Sequence, residues 1–159
     1  MADRSAPRLL GSHTRLKGDS QMALATANKQ RTLINPPGTE EFYNTWQFSQ
    51  AARVGDTVWL AGQLGIGPDG RPGATIEEQT RFAFENLARV LEAAGGSLAD
   101  IVDLTTYHIA MGDLPKVATV KAEFIKTNFP PWTAVGVTQL ALPEMLIEVK
   151  ATAVIGSSA

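Results

Sequence analysis

From Phe129 to Val154 the chain reads FPPWTAVGVTQLALPEMLIEVKATAV, two β-branched, apolar-alternating runs joined across Pro143. This stretch constrains the fold most, because period-two alternation rich in Val, Ile and Thr belongs to strands that bury one face. One carboxylate, Glu148, stands among Met145, Leu146, Ile147 and Val149. Burying a charge there is costly unless it is paired, so Glu148 is either a group with chemistry to do or half of a structural ion pair. Lys150 and a residue of a second subunit are the candidate partners. Trp132 follows Pro130-Pro131 at the head of the first run and offers either a stacking wall for a ligand or simple interface packing.

The rest of the chain supplies the elements around these strands. Asn35-Pro36-Pro37-Gly38 is a turn cluster, taken as the start of a single folded domain over 35–159, with 1–34 a flexible extension. Phe48 to Val54, the turn Gly55-Asp56 and Thr57 to Ala61 predict a strand pair, followed by a Gly- and Pro-containing loop from Gly65 to Gly73. Thr75 with Glu78 forms a capping-box pattern. Ile76, Phe84, Leu87, Val90, Leu91 and Ala94 recur at helical spacing, and Gly95-Gly96 ends the element. A strand over Ile101–Ile109 follows. A second helix is capped by Asp113, with Pro115 in its first turn and a stripe of Val117, Val120, Phe124 and Ile125. Two strands over roughly 132–139 and 145–155 complete a β-β-α-β-α-β-β order. Such an order places two helices on one face of a mixed sheet in an α+β fold. The other face is then expected to be apolar and uncovered, which calls for a neighbouring subunit.

Composition closes several alternatives. At 159 residues the chain suits one domain. No apolar run approaches the roughly 20 residues that span a bilayer, so no membrane is expected. The chain has no cysteine, which excludes disulfides, thiolate metal sites and a cysteine nucleophile, and its two histidines, His13 and His108, are too far apart to suggest zinc. No metal or other cofactor is expected. Arg4, Arg8, Arg15, Lys17, Lys29 and Arg31 face only Asp3 and Asp19 in the leader, so the remainder is acidic and unsuited to nucleic acid as its main partner. The leader has no apolar region of signal-peptide length and reads as an extension or as sequence ahead of a true start at Met22.

Three segments in order resemble the Rid family of reactive intermediate deaminases, also called YjgF-like. They are Phe48-Ser49-Gln50-Ala51 with Ala61-Gly62-Gln63-Leu64-Gly65, then Glu78-Gln79-Thr80 through Glu85-Asn86-Leu87, then Pro131 to Glu148. The resemblance spans about residues 35–155 and implies a chorismate-mutase-like α+β fold. It also implies a cytoplasmic homotrimer with small-molecule clefts between subunits. The family's known activity is hydrolysis of enamines and imines such as 2-aminoacrylate. It uses a glutamate on the last strand to position water, an arginine to grip the substrate carboxylate, and tyrosine and serine hydroxyls. Glu148 matches the glutamate. Trp132 stands at the arginine position, Phe48 at the tyrosine, Ala61 at the serine and Lys150 at a second glutamate.

These departures bear on chemistry. Tryptophan cannot neutralise a carboxylate as a planar guanidinium does, and the loss of such a contact is expected to cost about 2–5 kcal/mol of binding. Small acids like 2-aminoacrylate are therefore poor candidates. The resemblance implies an enamine or imine hydrolase with Glu148 catalytic and Trp132, Thr133, Ala134, Phe48, Ala61 and Gln63 around the substrate. For Thr133 and Ala134 the main chain would make the contact. The alternative is a non-catalytic small-ligand-binding or regulatory trimer. On their own chemistry Gln63 and Asn86 read as structural amides and His108 as a satisfied, half-buried histidine. Gly62, Gly65 and Gly67 do not form a phosphate loop, and Ser49 has no Ser/His/Asp pattern around it.

Overall fold

The computed structural model describes residues 30–158, and residues 1–29 of the basic leader, with His13 and Met22, lie outside them. The strands are β1 (Arg31–Ile34), β2 (Ala51–Val54), β3 (Thr57–Leu60), β4 (Gln63–Leu64), β5 (Ile101–His108), β6 (Trp132–Gly136) and β7 (Ile147–Val154). The helices are α1 (Glu40–Asn44), α2 (Ile76–Ala93) and α3 (Leu114–Phe124). The sheet runs β1-β2-β3-β7-β5-β6, and β4 pairs with β7 beyond the end of β3. Among the described residues only β5 and β6 pair in parallel and the other ladders are antiparallel, so the sheet is mixed as its element order predicts.

Local chemistry explains each boundary. The hairpin between β2 and β3 turns at Gly55, whose φ of 60° a side chain would strain. At the start of α2 the Thr75 hydroxyl accepts from the Glu78 N–H at 3.2 Å, and the Glu78 carboxylate reaches back to the Ala74 N–H at 2.7 Å. Its far end closes with Gly95 N–H to Glu92 C=O and Gly96 N–H to Leu91 C=O, the paired bonds of a Schellman ending. Asp113 does precede α3, but its side chain makes no cap hydrogen bond; it pairs instead with Lys116 at 3.5 Å.

Packing follows from period. Phe84, Leu87, Val90 and Leu91 of α2 are fully buried against Val58, Leu60, Leu104, Ile147, Val149 and Ala153 of the sheet. Each such side chain contributes about 1.5–3 kcal/mol by leaving water. From α3 come Val117 and Val120, and Phe124 stacks on Phe84 with centroids 5.3 Å apart. The helices thus cover one face, as expected.

Two expectations are corrected. A strand, β1, precedes the Asn35-Pro36 turn and pairs residue for residue with β2, so the ordered sheet begins ahead of the turn cluster. The uncovered sheet face is also mixed rather than apolar. Strict alternation sends Ile147, Val149, Ala151 and Ala153 to the helices and leaves Glu148, Lys150 and Thr152 on the other side, beside Trp59, Thr105 and Tyr107.

Candidate functional site

The open face carries a cleft of about 1090 Å³. Its walls include Tyr43 beyond β1, the Gln47–Ser49 entry to β2, Trp59 on β3 and Gln139–Ala141 of the loop ahead of β7. Glu148 and Lys150 of β7 lie at its floor with Ala61 and Gly62. Pairing places Tyr107 of β5 directly across from Glu148 on one side and Leu64 of β4 on the other.

Glu148 is half-buried, and burial raises its carboxyl pKa above the ordinary value while the Lys150 ammonium pulls it back down. Four ion pairs form among the described residues: Arg53–Asp56, Arg81–Glu123, and Lys116 with both Glu77 and Asp113. None involves Glu148, so the structural ion pair with Lys150 is not formed. The carboxyl rests directly over Gly62, where an added β-carbon would overlap its Oε1 and stand 2.6 Å from Cδ. Glycine at 62 is therefore what admits the acid to the floor. A carboxyl in this setting, raised in pKa and uncommitted to a cation, can take a proton from water at neutral pH.

Of the expected ligand-side residues, Glu148, Phe48 and Ala61 line the cleft, and Trp132, Thr133, Ala134 and Gln63 do not. Trp132 packs against the helix-side core, donates its Nε1–H to the Thr106 hydroxyl at 2.9 Å, and lies under the Lys121 ammonium at 4.8 Å. The reason is register: β6 pairs in parallel with β5, Trp132 beside Leu104, whose side chain points into the core. Thr133 and Ala134 extend the same ladder opposite Thr105 and Thr106. The Gln63 amide donates to Gln50 Oε1 and to the Ala61 carbonyl, each at 3.2 Å, and so fixes the strand end beneath the cleft. Asn86 likewise holds the Leu64 and Ile66 carbonyls at 3.1 and 3.0 Å.

His108 differs from its expected state. It is fully buried on the core face, with Nε2 2.7 Å from the Thr106 hydroxyl. The same Thr106 hydroxyl accepts the Trp132 Nε1–H, so it links the indole and the imidazole. The imidazole Nδ1 has no partner among the described residues, so the histidine is only half satisfied. Burial lowers its pKa, against the pull of the Asp113 carboxylate, and keeps it neutral and out of the cleft chemistry. Among the described residues no three His, Asp or Glu side chains gather as a metal site.

Sequence reasoning missed Trp59, Tyr107 and the Gln139–Ala141 wall, because cross-strand register decides which residues share the face of Glu148. It also missed Gln79, a buried glutamine of α2. Its amide donates to the Gly73 and Glu144 carbonyls at 3.0 and 2.9 Å, and its oxygen accepts the Leu146 N–H at 2.8 Å. That side chain ties the cleft-wall loop to the helix layer.

Comparison with known proteins agrees with this geometry. Residues 39–155 match the family model described as Endoribonuclease L-PSP. The RutC family protein YjgH of Escherichia coli is 40% identical over 114 residues, covering 70% of this chain and 87% of that one. A 2-iminobutanoate/2-iminopropanoate deaminase of Dermatophagoides farinae is 35% identical over 95 residues, 58% of this chain and 74% of its own. Among solved structures, Mycobacterium tuberculosis Rv2704, of the YjgF/YER057c/UK114 family, superposes with a TM-score of 0.71 at 32% identity. That match covers 79% of this chain and all of the other. The fold is the chorismate-mutase-like α+β arrangement of those structures.

Proposed function

The chain belongs to the endoribonuclease L-PSP (YjgF/Rid) family, and from that premise we propose that it hydrolyses an enamine- or imine-type reactive intermediate, with Glu148 as the water-orienting base. The observation that carries this reading is the Glu148 carboxyl itself: half-buried on the cleft floor over Gly62, raised in pKa and in no ion pair with a described residue. The name of the D. farinae relative, a 2-imino-acid deaminase, supports the same reaction class.

In this mechanism Glu148 accepts a proton from water as the oxygen adds to the C=N carbon. It returns that proton to nitrogen, giving a neutral carbinolamine. It then takes the carbinolamine O–H proton and delivers it to the amine as the C–N bond breaks to leave a carbonyl and ammonia. An enamine is first protonated at carbon to give the imine. The reaction needs no metal and no organic cofactor. Phe48 and Ala61 supply shape without hydroxyls, so a small imino acid gains no side-chain hydrogen bond from either of them. An acidic domain repels a phosphodiester backbone, so a small molecule suits the cleft better than RNA. We take the working assembly to be a cytoplasmic homotrimer, in which neighbours cover the open sheet face outside the cleft and the clefts, with Trp59 in their lining, lie between subunits.

A second reading, a ligand-binding or regulatory trimer without catalysis, is favoured by one observation: Trp132, at the place of the family's carboxylate-gripping arginine, is turned into the core. The experiment generates imines in place with an amino-acid oxidase and follows their loss with purified protein and with Glu148→Ala. The catalytic reading expects acceleration by wild type and a loss of about a hundredfold or more in the variant. Equal rates with wild type, variant and no protein, across acidic and neutral imines, would leave only the binding reading.

A further inference from the structure

The cleft holds three charged side chains, Arg31, Glu148 and Lys150, so its lining is cationic inside an otherwise acidic domain. Lys150 is exposed and forms no ion pair with a described residue. It stands two residues from Glu148 on one strand, which puts their Cα atoms about 7 Å apart on the same face. Thr152, the next residue on that face, pairs with Trp59, whose indole remains 48% exposed along the cleft. The open face of β7 therefore carries a carboxyl, an ammonium in no ion pair with a described residue and Thr152, with the half-exposed Trp59 indole of β3 beside that threonine.

We propose that the cleft binds an aromatic carboxylate, its anionic end held by Lys150 and its ring laid along Trp59. The proposal rests on the cleft described above but not on its being catalytic. An ammonium without a partner is a point charge that satisfies a carboxylate without imposing the planar geometry of a guanidinium. The indole supplies a large apolar face at small entropic cost. Anion recognition has then moved from the position of Trp132, which faces the core, to β7. A larger aromatic acid gains from both groups, whereas a two- or three-carbon acid gains from one alone. Glu148 repels the same anion, so removing its charge strengthens binding.

The test measures binding of three stable probes to the full chain by titration calorimetry at pH 8: phenylpyruvate, pyruvate and the neutral ketone phenylacetone. Phenylpyruvate should bind at least about tenfold more tightly than either of the others. Lys150→Met should bring phenylpyruvate and phenylacetone within about twofold of each other, Lys150→Arg should keep the preference, and Glu148→Gln should tighten phenylpyruvate several-fold. Trp59→Ala should weaken both aromatic probes and leave pyruvate unchanged. Lys150 is exposed, so its variants are expected to fold, which their melting curves verify. No binding of phenylpyruvate at millimolar concentration, or an unchanged preference in Lys150→Met, overturns the proposal. Because binding is the readout, failure of imine hydrolysis leaves this result standing. Neutral imines, which carry no carboxylate, should be handled alike by wild type and Lys150→Met; hydrolysis of anionic aromatic imines that ignores the substitution would refute the anion site alone.

Discussion

Gly62→Ala isolates the role of the glycine under the acid. The backbone at 62 lies outside the left-handed region, so alanine is not strained there and removes unfolded-state freedom worth about 0.4–1 kcal/mol in favour of folding. Against this, the new β-carbon overlaps the end of the Glu148 side chain and stands 2.6 Å from Cδ and 2.9 Å from Cγ. The overlap falls on the flexible end of a side chain, so it is relieved by rotating the carboxyl outward, at about 0.5–1.5 kcal/mol of rotamer strain. The two effects nearly cancel, and denaturant unfolding should place the variant within about 1 kcal/mol of wild type. The carboxyl, however, leaves the floor. A pH titration followed by carbon NMR should show its pKa falling toward that of a free glutamate, because the burial that raised it is gone. Imine hydrolysis should fall by about a hundredfold, the share a general base supplies. Gly112→Ala, with open space around its β-carbon, serves as the control and should change neither pKa nor rate. A Gly62→Ala protein with the wild-type rate and a still-raised Glu148 pKa would refute the reasoning.

Other outcomes follow from single contacts. Gln79→Ala strands the Gly73 and Glu144 carbonyls and the Leu146 N–H, and should cost about 2–4 kcal/mol in urea unfolding. Burial pushes the Asp100 carboxyl up, but bonds from the Ser97 N–H, the Ser158 hydroxyl and the Gly156 and Ser158 N–H groups outweigh it and hold the pKa below the ordinary value. The folded state therefore binds that proton more weakly than the unfolded one. Its stabilisation is present above the unfolded pKa and lost as pH falls through the folded one, so Asp100→Asn should destabilise at pH 7 and match wild type in strong acid. Trp132→Phe removes the donor to Thr106 and should cost about 1 kcal/mol while leaving the binding of cleft ligands unchanged, as a thermal melt and a ligand titration would show.

Features carried by adjacent residues were legible in the sequence. The stripe from Ile76 to Ala94, the Thr75–Glu78 cap and the Gly95-Gly96 ending all depend on spacing along one helix, and each forms as read. Glu148 stood out in the sequence because its neighbours are apolar, but only the family resemblance pointed it to a cleft rather than to an ion pair. Features set by register were not legible. Trp132 looked toward a ligand until parallel pairing with β5 turned it to the core, and Tyr107 entered the site only because β5 meets β7 in one alignment. β1 escaped notice because RTLI is too short to show alternation and lies across a proline turn from its partner. Gln79 drew no structural role from the sequence, since nothing there says which loops its amide will hold.

The grip of Gln79 on the loop ahead of β7 divides the protein into parts that can drift at different rates. The amide fixes Glu144 and Leu146, so the strand bearing Glu148 keeps its alignment whatever happens upstream. Gln139, Leu140 and Ala141 overhang the cleft several residues before that anchor. A lineage can exchange those three side chains, or lengthen the loop around them, and change which molecules enter while the acid beneath stays in place. Diversity among relatives should therefore gather in the overhang, and a search for new specificities by mutagenesis should begin there.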